Sequence, residues 1–118
     1  MSKIANEVYD ALKLLFPLDN VKKEHYVRYK GIRLFFDFYI RPKRLLIEVQ
    51  GRQHTEFVKH FHVDKKAFDA QKKRDNLKIE YIQENPELSF VRFNYDEKIT
   101  QILVKSKIYN ALKEGIYE

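Results

Sequence analysis

Ile32-Arg33-Leu34-Phe35-Phe36-Asp37-Phe38-Tyr39-Ile40, then Arg41-Pro42-Lys43-Arg44, then Leu45-Leu46-Ile47-Glu48-Val49-Gln50-Gly51 is the stretch that decides the fold. The first run is apolar on both of its alternating faces, so as a strand it belongs in the middle of a sheet covered on both sides. The second run has the same character and closes at Gly51. A basic, proline-containing turn joins them, and the whole reads as a hairpin of two buried strands. Each strand carries one carboxylate, Asp37 and Glu48. Burying either one unpaired costs on the order of several kcal/mol, so each must find a cation or a metal, or shift its pKa.

Working outward, Ile4, Val8, Ala11, Leu12, Leu15 and Phe16 recur at helical spacing, with Ser2 or Asn6 near the start and Pro17 just past the end. They predict a first helix ending near Phe16. Leu18 to Asn20 read as a loop. His25-Tyr26-Val27-Arg28-Tyr29 has the aromatic and β-branched composition of a short strand, followed by a turn at Lys30-Gly31. Beyond the hairpin, Arg52 to Val63 has no clean period and reads as a loop with a short helix. A long helix is predicted from about Asp64 to Asn85, because Ala70, Leu77 and Tyr81 share one side and Pro86 stops the pattern. Leu88 to Phe93 makes a further strand, and Asp96 is expected to cap a final helix ending near Gly115. The order α-β-β-β-α-β-α predicts an α/β fold: one domain over residues 1–118, with a mixed central sheet flanked by helices.

Composition narrows the function. The chain has 118 residues, 44% of them hydrophobic, and neither cysteine nor tryptophan. This suits one packed core and excludes a disulfide framework, a thiolate zinc site and a thiol nucleophile. No apolar run approaches the roughly 20 residues of a membrane span, and Met1-Ser2-Lys3-Ile4 opens no secretory signal, so the expected location is cytoplasmic with no membrane partner. The formal charge of +6 is compatible with nucleic acid and equally with simple solubility.

The two strand acids carry the chemistry. If Asp37 and Glu48 meet on neighbouring strands, a divalent cation with hard oxygen ligands, Mg²⁺ or Mn²⁺, relieves their repulsion, and the Val49 carbonyl can add a ligand. The alternative is a pair of sheet acids bridged to Arg28, Arg33 or Arg52. Gln50 lies two residues from Glu48 and faces the same side of its strand. Gln71, Asp75 and Lys78, spaced by four and three, form one stripe of the long helix. They read either as part of the same site or as a solvated Asp75–Lys78 pair. Arg41, Lys43 and Arg44 in the turn, Arg52 beyond it, and Gln71, Lys72, Lys73 and Arg74 on the helix are candidate phosphate contacts that carry no sequence readout. His60 and His62, two apart and without cysteine partners, fall short of a zinc site.

Phe36-Asp37-Phe38-Tyr39, Ile47-Glu48-Val49-Gln50-Gly51-Arg52-Gln53-His54, Gln71-Lys72-Lys73-Arg74-Asp75-Asn76-Leu77-Lys78 and Val91-Arg92-Phe93 together resemble, in that order, the very-short-patch-repair endonuclease-like branch of the PD-(D/E)XK nuclease superfamily. The resemblance covers most of the chain and implies a restriction-endonuclease-like core acting on DNA. It implies Asp37 as the central metal ligand, Glu48 as a second ligand, Glu7 as the upstream acid, His54 as a general acid or base and Asp75 as the last acid, with Lys78 or Gln50 positioning the phosphate. It further implies a metal-dependent DNA endonuclease of homing or phage type that leaves a 5′-phosphate and a 3′-hydroxyl, working as a monomer that nicks, as a homodimer, or with an added DNA-recognition domain. Three departures stand out: Gln50 occupies the position of the superfamily's lysine, Phe36 that of its proline, and no cysteine is present for the zinc site of the repair enzymes. They leave room for two alternatives, a non-catalytic nucleic-acid-binding module on a degenerate nuclease core and a structure-selective nuclease acting on junctions or on RNA.

Overall fold

The computed structural model describes residues 1–51 and 65–117. Helix α1 runs Lys3–Leu15, β1 Val21–Tyr29, β2 Ile32–Ile40, β3 Leu45–Gln50, α2 Lys65–Gln83, β4 Ser89–Asn94, α3 Gln101–Glu114 and β5 Ile116–Tyr117. The five strands form one mixed sheet in the order β1-β2-β3-β4-β5. β1, β2 and β3 are antiparallel neighbours, whereas β3–β4 and β4–β5 pair in parallel.

Local chemistry accounts for the ends of these elements. The Ser2 hydroxyl accepts from the Ala5 N–H at 3.2 Å and caps α1. The β1–β2 turn places Lys30 at φ 49° and Gly31 at φ 74°, two positive values in succession, as the tight hairpin turn with matching twist requires. The basic turn after β2 is a short 3₁₀ segment, Arg41–Lys43, closed by Arg44 in the left-handed region at φ 48°. The carbonyl of Arg44 accepts from the Ser89 N–H at 2.8 Å, which ties the turn to the start of β4.

Two expectations are corrected. β1 starts at Val21, four residues before His25, because Val21 and Lys22 pair with Ile40 and Tyr39 at the base of the hairpin. The last helix is capped by Thr100, whose hydroxyl accepts from the Leu103 N–H at 3.1 Å; Asp96 lies in the preceding turn. The terminal β5, parallel to β4, carries no pattern in the sequence and forms because α3 returns the chain to that edge.

Two apolar clusters cover the two faces of the sheet. One joins Val8 and Leu12 of α1, Val104 and Ile108 of α3, and Phe38, Ile40, Leu45, Ile47, Val91 and Phe93 from the strands. The other joins Ile82 of α2 with Leu34, Phe36, Leu46 and Phe90. Residues two apart on a strand share a face, yet Leu34 and Phe36 belong to the second cluster and Phe38 and Ile40 to the first. The alternation therefore breaks at Asp37. Opposite it, Glu24 sits at φ 57°, and Glu24–Asp37 is the one position missing from the otherwise continuous β1–β2 register. Positive φ is uncommon outside glycine, and here it turns both strands at once, so that one run of alternating apolar residues feeds two layers.

Candidate functional site

The break at Asp37 turns its half-buried carboxylate toward β3, where Oδ2 accepts from the Val49 N–H at 2.8 Å. Asp37 is thus anchored beside Glu48 through the backbone of β3. On β3 the odd-numbered residues face α1 and α3, and Glu48 faces α2 together with Leu46. Glu48 is 2% exposed. Its Oε1 takes a charge-assisted hydrogen bond from the Lys78 ammonium, and its Oε2 lies 3.4 Å from the Arg92 guanidinium. Lys78 comes from α2, and Arg92 is the direct neighbour of Glu48 in the parallel β3–β4 register. The Lys78 ammonium also lies 4.0 Å from Asp75 Oδ1 and 5.6 Å from the centre of the Phe36 ring.

Among the described residues the cations that serve Glu48 are therefore Lys78 and Arg92, rather than Arg28 or Arg33, and Arg52 lies outside the described residues. Arg92 is the residue sequence reasoning missed, although a signal was there: it is the one charge in Phe90-Val91-Arg92-Phe93, complementary to the one charge in Ile47-Glu48-Val49. A second arrangement holds the end of β4. The Lys107 ammonium, buried on α3, donates to the Arg92 carbonyl and to both Glu97 oxygens at 2.9 and 3.1 Å, and Glu97 Oε1 accepts from the Asn94 N–H at 2.7 Å. Asn94 pairs with Gln50 in register, so this network braces the C-terminal ends of the parallel strands, where ligands sit in open α/β sheets. Gln50 is 5% exposed and follows Glu48 on the α2 side.

The stripe on α2 is assembled as its spacing implies. Gln71, Arg74, Asp75 and Lys78 line one side of a cleft of about 270 Å³, and Arg33 and Phe35 of β2 line the other. Arg33 stacks on Tyr26 with its guanidinium carbon 3.9 Å from the ring centre, and Tyr26 packs against Phe35 at 5.2 Å. The cleft thus has an aromatic wall at Phe35, backed by Tyr26, together with cationic groups. Lys73 is exposed, and the Lys72 ammonium lies 5.9 Å from the Phe68 ring centre.

Other candidate residues lie elsewhere. Glu7, on α1, lines a shallow depression with Asp10, Ala11, Leu14 and Ile99–Gln101, under the face opposite α2. Lys43 pairs with Asp19 at 3.5 Å and covers the Phe16 ring, and Arg44 is exposed at the foot of β4. Arg41 lines a larger cavity at the base of the β1–β2 hairpin. Arg52, His54, His60 and His62 lie outside the described residues, as does the expected loop with its short helix. Val49 contributes its N–H to Asp37. Among the described residues no three His, Asp or Glu side chains converge as a metal cage.

The architecture defines an α/β domain with a mixed five-stranded sheet and three described helices. The chain is similar to the uncharacterized protein 307L of Invertebrate iridescent virus 6, with 34% identity over 83 residues that make up 70% of this chain and 40% of that protein. It therefore spans less than half the length of the relative it matches. No family model matches the chain, and no solved structure matches it. No described helix is long and apolar enough to cross a membrane.

Proposed function

We propose that the chain is a metal-dependent DNA endonuclease on a restriction-endonuclease-like core of the PD-(D/E)XK type. The observation that carries this reading is the Asp37–Val49 hydrogen bond at 2.8 Å, which holds one strand acid beside a second, Glu48, at the carboxyl end of β3. Asp37, Glu48 and the Val49 carbonyl offer the hard oxygen donors that Mg²⁺ or Mn²⁺ takes. The fit is competitive: the Glu48 oxygens face Lys78 and Arg92, so a divalent ion at Glu48 takes the place of the Lys78 ammonium. Such an ion, when bound, lowers the pKa of a coordinated water and offsets charge on the phosphate.

The chain's own groups do the rest. Asp37 keeps its orientation through Val49, Arg92 keeps Glu48 in place, and Lys78, released from Glu48, turns toward the cleft that it shares with Arg33 and Arg74 and holds the scissile phosphate there. Asp75, 4.0 Å from Lys78, steers that ammonium. Gln50 has no basic group, so proton transfer is assigned to His54. Duplex DNA is the partner, held on its phosphates by Arg33, Arg74 and the exposed Lys73, with a second copy or an added domain supplying target choice.

The test is conversion of supercoiled plasmid to nicked or linear form with and without Mg²⁺ or Mn²⁺, for wild type, Asp37→Ala and His54→Ala. Wild type is expected to cut only with metal, and Asp37→Ala not at all. The reading fails if wild type shows no metal-dependent cleavage above Asp37→Ala on duplex, branched and single-stranded substrates. One observation favours a second reading, a non-catalytic nucleic-acid-binding module: Lys78 and Arg92 already supply Glu48 with two cationic partners. That module binds DNA in a salt-sensitive manner and leaves every substrate intact.

A further inference from the structure

A second cavity, of about 640 Å³, opens at the other end of α2, between the base of the β1–β2 hairpin and the start of β3. Its volume falls within the range of sites for small organic ligands. On α2, Tyr81 lines this cavity one turn beyond Lys78 of the first cleft, and fully buried Phe36 packs against both side chains, 6.3 Å from the Tyr81 ring and 5.6 Å from the Lys78 ammonium. The two linings share no residue, and Phe36 lies in the core between Tyr81 of one and Lys78 of the other.

The cavity lining combines three kinds of group. His25 stacks on Tyr39 with ring centres 4.4 Å apart and planes at 25°, a flat aromatic wall, and Leu46 and Leu88 supply apolar surface. Two cations, Lys22 and Arg41, stand at the cavity, and among the described residues neither has a carboxylate partner. The acid in the same lining, Asp19, is taken by Lys43 at 3.5 Å, so the positive charge there is left uncancelled. Burial and the neighbouring Lys22 ammonium hold the His25 pKa below its ordinary value, which keeps the ring neutral and free to stack. Burial raises the Tyr81 hydroxyl, with smaller effects from Glu87 and Tyr39, so it stays protonated as a hydrogen-bond donor.

We infer that this cavity binds a nucleoside monophosphate unit, its base against the His25–Tyr39 stack and its phosphate on Arg41 and Lys22. A bare anion has no use for the aromatic and leucine surface, and a purely apolar ligand leaves Arg41 and Lys22, the latter in contact among the described residues only with His25 Nδ1 at 3.4 Å, without a counter-anion at the cavity. The unit is either a free mononucleotide or the 5′-terminal nucleotide of a strand. The inference is independent of the nuclease reading, because it concerns a different cavity and requires neither metal nor cleavage.

The experiment is titration of the whole chain, without divalent metal, with deoxyadenosine 5′-monophosphate, followed by calorimetry and by chemical shifts of His25, Tyr39 and Tyr81. Deoxyadenosine and inorganic phosphate are titrated in parallel. The nucleotide is expected to shift all three rings and to bind more tightly than either fragment. Arg41→Ala and Lys22→Ala, both at exposed positions and so compatible with folding, each weaken it about tenfold, the factor lost with one hydrogen bond to a charged group. Arg74→Ala, in the first cleft, leaves it unchanged. A 5′-phosphorylated trinucleotide and its unphosphorylated form distinguish the sources: preference for the phosphorylated strand over the free mononucleotide assigns a strand end, and the reverse assigns a free nucleotide. The inference is overturned if neither the mononucleotide nor the phosphorylated trinucleotide binds, or if binding survives both Arg41→Ala and Lys22→Ala.

Discussion

Replacing Lys78 with methionine tests the electrostatic centre of the molecule. Lys78 and Glu48 side chains are 7% and 2% exposed, so their ion pair is shielded from solvent. Removing one partner of a buried pair costs about 3–5 kcal/mol, because the other charge is left without its counterion. Arg92 remains 3.4 Å from Glu48 Oε2, which places the expected loss at the lower end, about 3 kcal/mol. At about 2.1 cal/mol/K per residue, 118 residues give an unfolding entropy of about 0.25 kcal/mol/K, so the melting temperature falls by about 12 °C. Glu48→Gln alone is also destabilising, since among the described residues it leaves Lys78 with the more distant Asp75, 4.0 Å away. The double variant Lys78→Met/Glu48→Gln removes both charges and is expected to lose about 2 kcal/mol less than the sum of the single losses. Urea unfolding of the four proteins at neutral pH measures this coupling. A Lys78→Met protein within about 0.5 kcal/mol of wild type, or strictly additive losses, refutes the pairing. The same variants bear on metal: with its ammonium competitor gone, Lys78→Met is expected to gain more thermal stability from Mn²⁺ than wild type does, by ligand linkage.

Further expectations follow from single features. Gly31→Ala places a side chain at φ 74° with no atom within 4 Å of the new Cβ, so its cost is conformational alone, about 1–2 kcal/mol by denaturant unfolding. Phe36→Ala, in the fully buried core beside Tyr81, is expected to cost about 3–5 kcal/mol and to disturb the ring signals of Tyr81. His25 is expected to titrate below its ordinary value of 6.5 by NMR, and Lys22→Ala to move it upward. Because the folded-state pKa is the lower one, the unfolded chain binds more protons, so the His25 contribution is retained above pH 6.5 and lost as pH falls toward the folded value. Lys22→Ala therefore flattens the acid limb of stability against pH, and an unchanged limb contradicts the assignment.

The hairpin and its two acids were legible because buried strands announce themselves by unbroken apolar runs, and a charge within such a run demands a partner. The identity of the partner was not legible. Glu48 meets Arg92 through the parallel register and Lys78 through the seating of α2, and both relations join residues far apart in sequence. Asp75 and Lys78 were read as one stripe with Gln71, which helical geometry fixes locally, and the structure lines the cleft with all three. The cavity around His25 and Arg41 escaped notice because its lining comes from β1, β2, β3, α2 and the connecting segments, with no local motif. Thr100 displaced Asp96 as the cap for a simple reason: Glu97 bonds the Asn94 N–H, so the chain completes a turn before the helix begins.

The turn in the β1–β2 ladder at Glu24 and Asp37 has a consequence for how the two layers communicate. Phe36 and Phe38 flank Asp37 and are rooted in opposite cores, so its position is set jointly by the α2 layer and by the α1–α3 layer. A rotation of the hairpin tip relative to its base would have to pass through the peptide units at Asp37, whose carboxylate accepts from the Val49 N–H. Anything that draws Asp37 away from Val49 loosens the grip of one layer on the other, and anything that fixes it couples them. The acid that breaks the apolar run thus acts as the clutch between the two halves of the fold.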